Sequence, residues 1–147
     1  MIPLPNGSGL NYWEYLIDKL NVVFIYKTVS VPPGQETLVY EEVGRGFWIG
    51  GGCLSNVADS GLRWNLDGTE VKDSISSIYQ FGLTSPNNFF FYVTKYDTTN
   101  NIYAMAWSPS YPGTFRFYSK VYAFNDATTT ATMTVFGYFA KVVGEER

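Results

Sequence analysis

Apolar and polar residues alternate with a period of two from residue 22 to the C-terminus, and clusters of Pro, Gly, Asn and Asp interrupt the alternation. This period is typical of half-buried β-strands, and the interrupting residues are typical of turns. Lys72–Tyr79, with Asp73 as N-cap, predicts a short helix or helical turn. The alternation itself predicts about eight strands: Val22–Val31, Glu36–Val43, Phe47–Ser55, Leu62–Leu66, Asn88–Tyr96, Asn101–Ser108, Thr114–Asn125 and Thr129–Val143.

Short strands that follow one another without long intervening helices favour an antiparallel sandwich or barrel over a parallel sheet. Eight strands suit a jelly roll. The expected fold is therefore all-β, an antiparallel, jelly-roll-like β-sandwich of about eight strands. An immunoglobulin-like sandwich is the structural alternative, but its cysteine pair cannot exist in a chain whose single cysteine is Cys53.

The first 21 residues follow a different pattern. Residues 1–10 are rich in Pro, Gly, Ser and Asn, which predicts an extended arm. Apolar residues then recur at helical spacing at Trp13, Leu16, Ile17 and Leu20, and Asn11 is in position to cap the helix. The sequence predicts an arm and a short amphipathic helix over residues 1–21, followed by a β-sandwich domain over residues 22–147.

Several predicted strands carry apolar side chains on both faces. In Thr114–Asn125, Phe115 and Phe117 are on one face with Val121 and Ala123, whereas Tyr118, Tyr122 and Phe124 are on the other with Arg116 and Lys120. A monomeric sandwich leaves one face of each sheet to solvent, so apolar outer faces indicate a cover such as another subunit.

Composition points in the same direction. Four Trp, 12 Tyr and 11 Phe make up 18% of the chain, while charged residues make up 16%. Aromatic enrichment over charged residues is typical of interface cores. We expect a homo-oligomer whose interface includes Trp13, Leu16, Ile17, Tyr103, Trp107, Tyr118, Tyr122 and Phe124.

Charge and residue content argue against several function classes. The net charge of −3, without a basic run, argues against a nucleic-acid partner. The chain has no histidine, and its scattered carboxylates form neither a catalytic pair nor an EF-hand spacing. We expect no enzymatic activity, no catalytic residue, no metal and no cofactor. The N-terminus does not match a signal peptide and no apolar run is long enough to span a membrane, which predicts a chain made in the cytoplasm without a membrane partner.

The stretch GRGFWIGGGCL, residues 44–54, holds five glycines but does not match a nucleotide-binding loop. Gly44, Gly46 and Gly50 are spaced G-x-G-x-x-x-G, and no Gly-Lys-Ser/Thr follows. We interpret it as a core strand in which Gly50, Gly51 and Gly52 permit a bend or the close approach of a neighbour. Cys53 is expected to be a small buried apolar residue.

A carbohydrate-binding module is the alternative function. Sandwiches present Trp and Tyr rings on which sugars stack, and Trp64, Trp107 and Tyr111 are the candidates here. The loop of residues 108–113 is the favoured exposed position for such a site. In this alternative, a host surface glycan is the partner.

An order of features extends over about residues 22–143. The first strand ends in Val31-Pro32-Pro33-Gly34. It is followed by Gly46-Phe47-Trp48-Ile49-Gly50-Gly51 and then by Arg63-Trp64-Asn65-Leu66-Asp67-Gly68. The order closes with Phe91-Tyr92-Val93-Thr94-Lys95-Tyr96-Asp97, the Phe115–Val121 strand and a Thr-rich last strand. This order resembles the small β-sandwich structural proteins of double-stranded DNA viruses of bacteria and archaea. The resemblance implies a virion component that associates with itself and with other virion proteins: a decoration, turret or spike, tail-associated or minor capsid protein.

Overall fold

The computed structural model describes residues 20–87, 91–107 and 113–142. These residues form one short helix, α1 (Ile75–Gln80), and ten strands. The strands are β1 (Leu20–Val31), β2 (Gln35–Val43), β3 (Gly46–Ser55), β4 (Ser60–Leu66), β5 (Thr69–Ser74), β6 (Tyr92–Asp97), β7 (Ile102–Trp107), β8 (Gly113–Phe115), β9 (Tyr118–Asn125) and β10 (Ala131–Val142).

The strands form two antiparallel sheets packed face to face. One has the order β1-β10-β3-β7-β6, with β8 also paired to β3, and the other has the order β2-β9-β4-β5. The prediction of an almost entirely β, antiparallel two-sheet protein is confirmed. The predicted N-terminal helix, with Trp13, Leu16 and Ile17, lies outside the described residues.

The strand count differs from the prediction at two places. The first is Thr69–Ser74, where Lys72 to Ser74 were expected in a helix but belong to β5. Asp67 and Gly68 have φ values of 55° and 95°, which suits a tight hairpin turn and returns the chain along β4. The helix begins only after Ser74, whose side chain accepts a hydrogen bond from Ser77 N. Cross-strand pairing thus takes precedence over the local helix signal.

The second difference divides Thr114–Asn125 into β8 and β9. Residues 116 and 117 form a bend, because the Asp67 carboxylate accepts backbone N–H bonds from Arg116, Phe117 and Tyr118 at 2.7–3.0 Å. Phe115 is 2% exposed and Phe117 is 71% exposed. The expectation that these two rings share one face is therefore wrong, since the bend breaks the alternation between them.

The core between the sheets centres on tryptophan. Trp48 on β3 packs edge-on against Trp64 on β4, with ring centroids 4.8 Å apart, and Trp107 lies 4.9 Å from Trp64. Trp48 Nε1 donates to Ser119 Oγ at 2.8 Å, which joins the two sheets by a buried hydrogen bond. A Cβ on Gly51 would lie 2.8 Å from the Trp64 ring, so this glycine makes room for the cluster.

Candidate functional site

The outer face of the larger sheet exposes a group of large aromatic side chains. Phe24 and Tyr26 on β1 are 74% and 80% exposed, and Phe136 and Tyr138 on β10 are 37% and 38% exposed. These four rings, together with Val22 and Leu54, are called the aromatic face below. Phe24 and Tyr26 are the two most exposed large hydrophobic side chains of the described strands.

The strand register brings the four rings together. Phe24 is opposite Tyr138 and Tyr26 is opposite Phe136. The Phe24 and Tyr138 rings stack with centroids 5.6 Å apart and an angle of 22° between their planes. Aromatic cross-strand pairs of this kind hold their rings as a fixed apolar surface.

Glycines of β3 lie beneath the β10 rings. Gly50 is opposite Tyr138 and Gly52 is opposite Phe136. A Cβ on Gly52 would lie 3.0 Å from the Phe136 ring, and one on Gly50 would lie 3.3 Å from the Tyr138 ring. The glycines of the GRGFWIGGGCL stretch therefore make room for aromatic rings on both faces of the sheet. Gly51 accommodates Trp64 on the inner face, and its two neighbours in the sequence accommodate the β10 rings on the outer face.

Charge is absent from the outward positions of β1, β10, β3 and β7 over their described lengths. The polar groups there are hydroxyls, such as the Thr28 and Thr134 pair whose Oγ1 atoms are 2.9 Å apart. A shallow hollow of about 300 Å³ continues the face beyond Leu54, lined by Asn56, Asn101 and Ile102 among others. An apolar sheet face with a hydroxyl-bearing margin is suited to contact another macromolecule.

The outer face of the smaller sheet has a different character. Arg63 on β4 forms ion pairs with Glu36 and Glu70, and its guanidinium lies 3.9 Å from the centroid of the Tyr122 ring. The hydrogen bond from Arg63 lowers the pKa of Glu36, partly offset by burial. Lys120 lies 3.6 Å from a Glu41 carboxylate oxygen. This surface, called the charged face below, satisfies its own groups and is suited to water.

The sequence-predicted interface residues that the structure describes do not lie on the aromatic face. Tyr103 and Trp107 are 6% and 2% exposed in the core, so neither reaches a partner's surface. Phe124, 3% exposed, lies on the charged face beneath Lys72, whose Nζ is 4.6 Å from the ring centroid. Tyr118 and Tyr122 are half-buried on the same face. Tyr103, Trp107 and Phe124 are thus buried within the chain, whereas Tyr118 and Tyr122 stay partly exposed and their place in an interface remains a prediction.

The candidate sugar platforms are likewise placed inside. Trp64 is 1% exposed and Trp107 2%, so neither ring has a free face on which a sugar could stack. Tyr111 lies outside the described residues.

Sequence reasoning missed Phe24, Tyr26, Phe136 and Tyr138. One signal was present, since residues 22–26 are apolar at both odd and even positions, unlike a strand with one solvated face. What it lacked was the knowledge that β1 is at the end of its sheet among the described strands.

Two further kinds of reactive group matter for function among the described residues: the cysteine thiol and side chains that could bind a metal ion. Burial raises the pKa of the Cys53 thiol to about 12, which keeps it protonated. No group of three or more potential metal-ligating acidic, cysteine or histidine side chains occurs in the described part of the chain. Within the same ranges, no helix is both long and apolar enough to cross a bilayer.

Comparison with protein-family models and with curated proteins gives no match to this chain.

Proposed function

We propose that this chain is a non-enzymatic structural subunit that associates with itself, and with other proteins of a virus particle, through the aromatic face. The observation that carries the proposal is the exposure of Phe24 and Tyr26, at 74% and 80%, on a sheet face whose central strands present no charge in the described structure. Burial of this surface is the mechanism of assembly.

The magnitude of the driving force supports an assembly role. Phe24 and Tyr26 together expose about 300 Å² if each side chain offers about 200 Å². At about 25 cal/mol per Å², their burial contributes about 7 kcal/mol before the costs of association are subtracted. Phe136, Tyr138, Val22 and Leu54 add to this area.

The strand order supports the virion assignment. With β6 and β8 set aside, the sheets pair as β1-β10-β3-β7 and β2-β9-β4-β5. We assign this order to a jelly roll, the architecture of many viral capsid domains and of some lectins. It agrees with the virion structural proteins that the order of sequence features resembles. The virion itself is thus the proposed location.

The alternative, a glycan-binding module, has less support. Its candidates Trp64 and Trp107 are buried, and the amide groups of Asn56 and Asn101 line a hollow beyond Leu54, two strands away from the exposed rings of β1. A glycan site would have to rest on Tyr111 and its neighbours.

Sedimentation velocity across a dilution series tests the self-association. The wild type should form a discrete oligomer, and Phe24→Glu with Tyr26→Glu should dissociate it at least tenfold more readily, because carboxylates resist burial. Phe81→Glu with Phe117→Glu is the matched control, since these rings are 75% and 71% exposed but lie off the aromatic face. A monomeric wild type, or equal effects of the two double variants, would contradict the proposal.

The virion assignment has its own test. Mass spectrometry and immunogold microscopy of purified virus particles from cells that produce the chain should find it at a regular position on the particle. Its absence from particles, with self-association intact, would restrict the proposal to a structural subunit of another assembly.

A further inference from the structure

Four strands form the principal edges of the two sheets, and three of them are protected against pairing with another chain. β6 and β5 have six residues each, with Lys95 on one and Lys72 on the other. β2 carries Glu36 and Glu41, and its register with β9 shifts between Leu38 and Tyr40. Short length, charge and bulges are the usual means by which an edge strand avoids accidental pairing.

The fourth edge, β1, is the longest of the four and the most regularly paired, and it carries the least of this protection. All twelve of its residues pair with β10 without a register shift, and Lys27 is its one charged residue. No described strand lies on its other side. A long, regular, weakly charged edge is a template for one more strand.

We propose that β1 pairs antiparallel with β1 of a second copy, about a two-fold axis, so that the two larger sheets become one continuous sheet. This inference rests on the proposed self-association and specifies the edge contact between two copies, while the outward side of the aromatic face stays open for the burial proposed above. It also joins the two aromatic faces side by side, because Phe24 and Tyr26 belong to the edge that pairs.

The residues of β1 favour one register, centred on Ile25. Residues opposite each other in an antiparallel pair share a face, so this register sets Phe24 against Tyr26 of the second copy twice over. A register centred on Lys27 would set like charges directly opposite each other, which is unfavourable.

The inner side of the pairing fits the same register. Lys27 of one copy then lies opposite Val23 of the other, a half-buried residue. The aliphatic part of Lys27 covers Val23 while its ammonium group stays in water. Shifting the centre by one residue to Tyr26 would instead set Phe24 against Thr28 and Tyr26 against Tyr26, which leaves one aromatic pair where the register centred on Ile25 has two.

Cysteine cross-linking tests the pairing and its register. Two variants of the full chain are made separately, Val22→Cys and Thr28→Cys, and one of them carries a mass tag. The native Cys53 is buried, so it does not compete for disulfide formation. The register sets residue 22 opposite residue 28 of the second copy, with Cβ atoms about 5 Å apart. Residue 22 is about 20 Å from residue 22 of that copy, which is too far for a disulfide. Mild oxidation of the mixture should give at least tenfold more heterodimer than either variant gives homodimer.

Leu54→Cys is the matched control, since this residue is 44% exposed on the aromatic face but lies on β3, two strands from the edge. Cross-linking through Leu54→Cys alone would show that copies stack face to face, which overturns the edge pairing and leaves the proposed function standing. Cross-linking of Thr28→Cys with itself would overturn the register.

Amide hydrogen exchange of the wild type separates the remaining outcomes. Pairing protects those β1 amides that point away from β10, whereas stacking leaves them exchanging. A monomer with fast exchange there overturns both proposals. A monomer in which these amides are protected would show that residues 1–19 cover the edge, and it overturns both as well.

Discussion

Tyr26 and Tyr122 are both tyrosines on outward positions of long strands, one on each sheet, yet their surroundings differ. Tyr26 is 80% exposed, with no charged group beside it on the described outward positions of its own and the adjoining strand. Tyr122 is half-buried under the Arg63 guanidinium, 3.9 Å away, and Arg63 is held in turn by Glu36 and Glu70. On the charged face a charged side chain of the same chain covers the ring, whereas on the aromatic face the Tyr26 ring stays mostly exposed.

Two phenylalanines repeat the contrast. Phe124 and Phe136 each lie opposite a glycine of the neighbouring strand, Gly61 and Gly52. Lys72 covers Phe124, which is 3% exposed, whereas Phe136 is 37% exposed. A phenylalanine opposite a glycine is therefore buried on one sheet and partly exposed on the other. The difference is that a charged side chain, Lys72, covers Phe124.

The largest expected effect is at the base of the aromatic face. In Gly52→Ala, the added Cβ would overlap the Met105 carbonyl oxygen and press on the Phe136 ring. We expect the free energy of unfolding to fall by about 3 kcal/mol, because the backbone of β7, paired on both sides with β3 and β6, cannot move freely even though the partly exposed Phe136 ring can. Gly50→Ala is the matched control: its Cβ would approach no atom closer than 3.2 Å, so it should cost about 1 kcal/mol. Urea unfolding measures both, and equal losses would contradict the role given to Gly52.

The second largest expected effect on stability concerns the hydrogen bond between Trp48 and Ser119, which joins the two sheets. Trp48→Phe removes the donor to Ser119 and leaves a buried hydroxyl unpaired, whereas Trp64 Nε1 has no hydrogen-bond partner among the described residues. We expect Trp48→Phe to cost about 2 kcal/mol and Trp64→Phe about 1 kcal/mol, since the lost ring volume is the same in both. Equal costs in thermal unfolding would mean that the hydrogen bond contributes nothing to joining the sheets.

The charged face should respond to pH. The hydrogen bond from Arg63 lowers the pKa of Glu36 in the folded chain, so its contribution is present above the unfolded-state pKa and is lost as pH falls through the folded-state value. Arg63→Met should cost about 1 kcal/mol at pH 7. Its difference from the wild type should shrink below about pH 4. Unfolding curves at pH 7 and pH 3 measure this, and a cost that does not change with pH would show that the ion pairs are not its source.

Sequence patterns were sufficient for what depends on neighbours along the chain. Alternation located most strands, and clusters of Pro, Gly, Asn and Asp indicated the turns between them. The direction of Phe117 could not be found in this way, because the bend before it depends on the Asp67 carboxylate, about fifty positions earlier in the chain. Lys72 to Ser74 were predicted to begin a helix for the same reason: the pairing of β5 with β4 decides their conformation.

The aromatic residues show where composition stops being informative. An excess of Trp, Tyr and Phe indicates buried rings, but whether a ring such as Trp64 is buried in the core or in an interface depends on which glycine gives it space. Here Gly51 accommodates Trp64 inside the sandwich. Phe24 and Tyr26 point outward by the alternation of β1, but their high exposure follows from the position of β1 at the end of its sheet among the described strands, which the sequence pattern does not encode.

The smallest effect on folding gives the sharpest test of the two faces. Tyr26→Ser should change the free energy of unfolding by less than about 0.5 kcal/mol, because the ring is mostly in water, yet it should weaken self-association several-fold. Tyr122→Ser should do the reverse, costing about 1 kcal/mol through the lost cation–π contact and packing while leaving the association constant unchanged. Urea unfolding and sedimentation equilibrium of the same two samples measure the four quantities. If Tyr122→Ser weakened association as much as Tyr26→Ser, the charged face would also bind a partner, and the distinction drawn between the two sheets would fail.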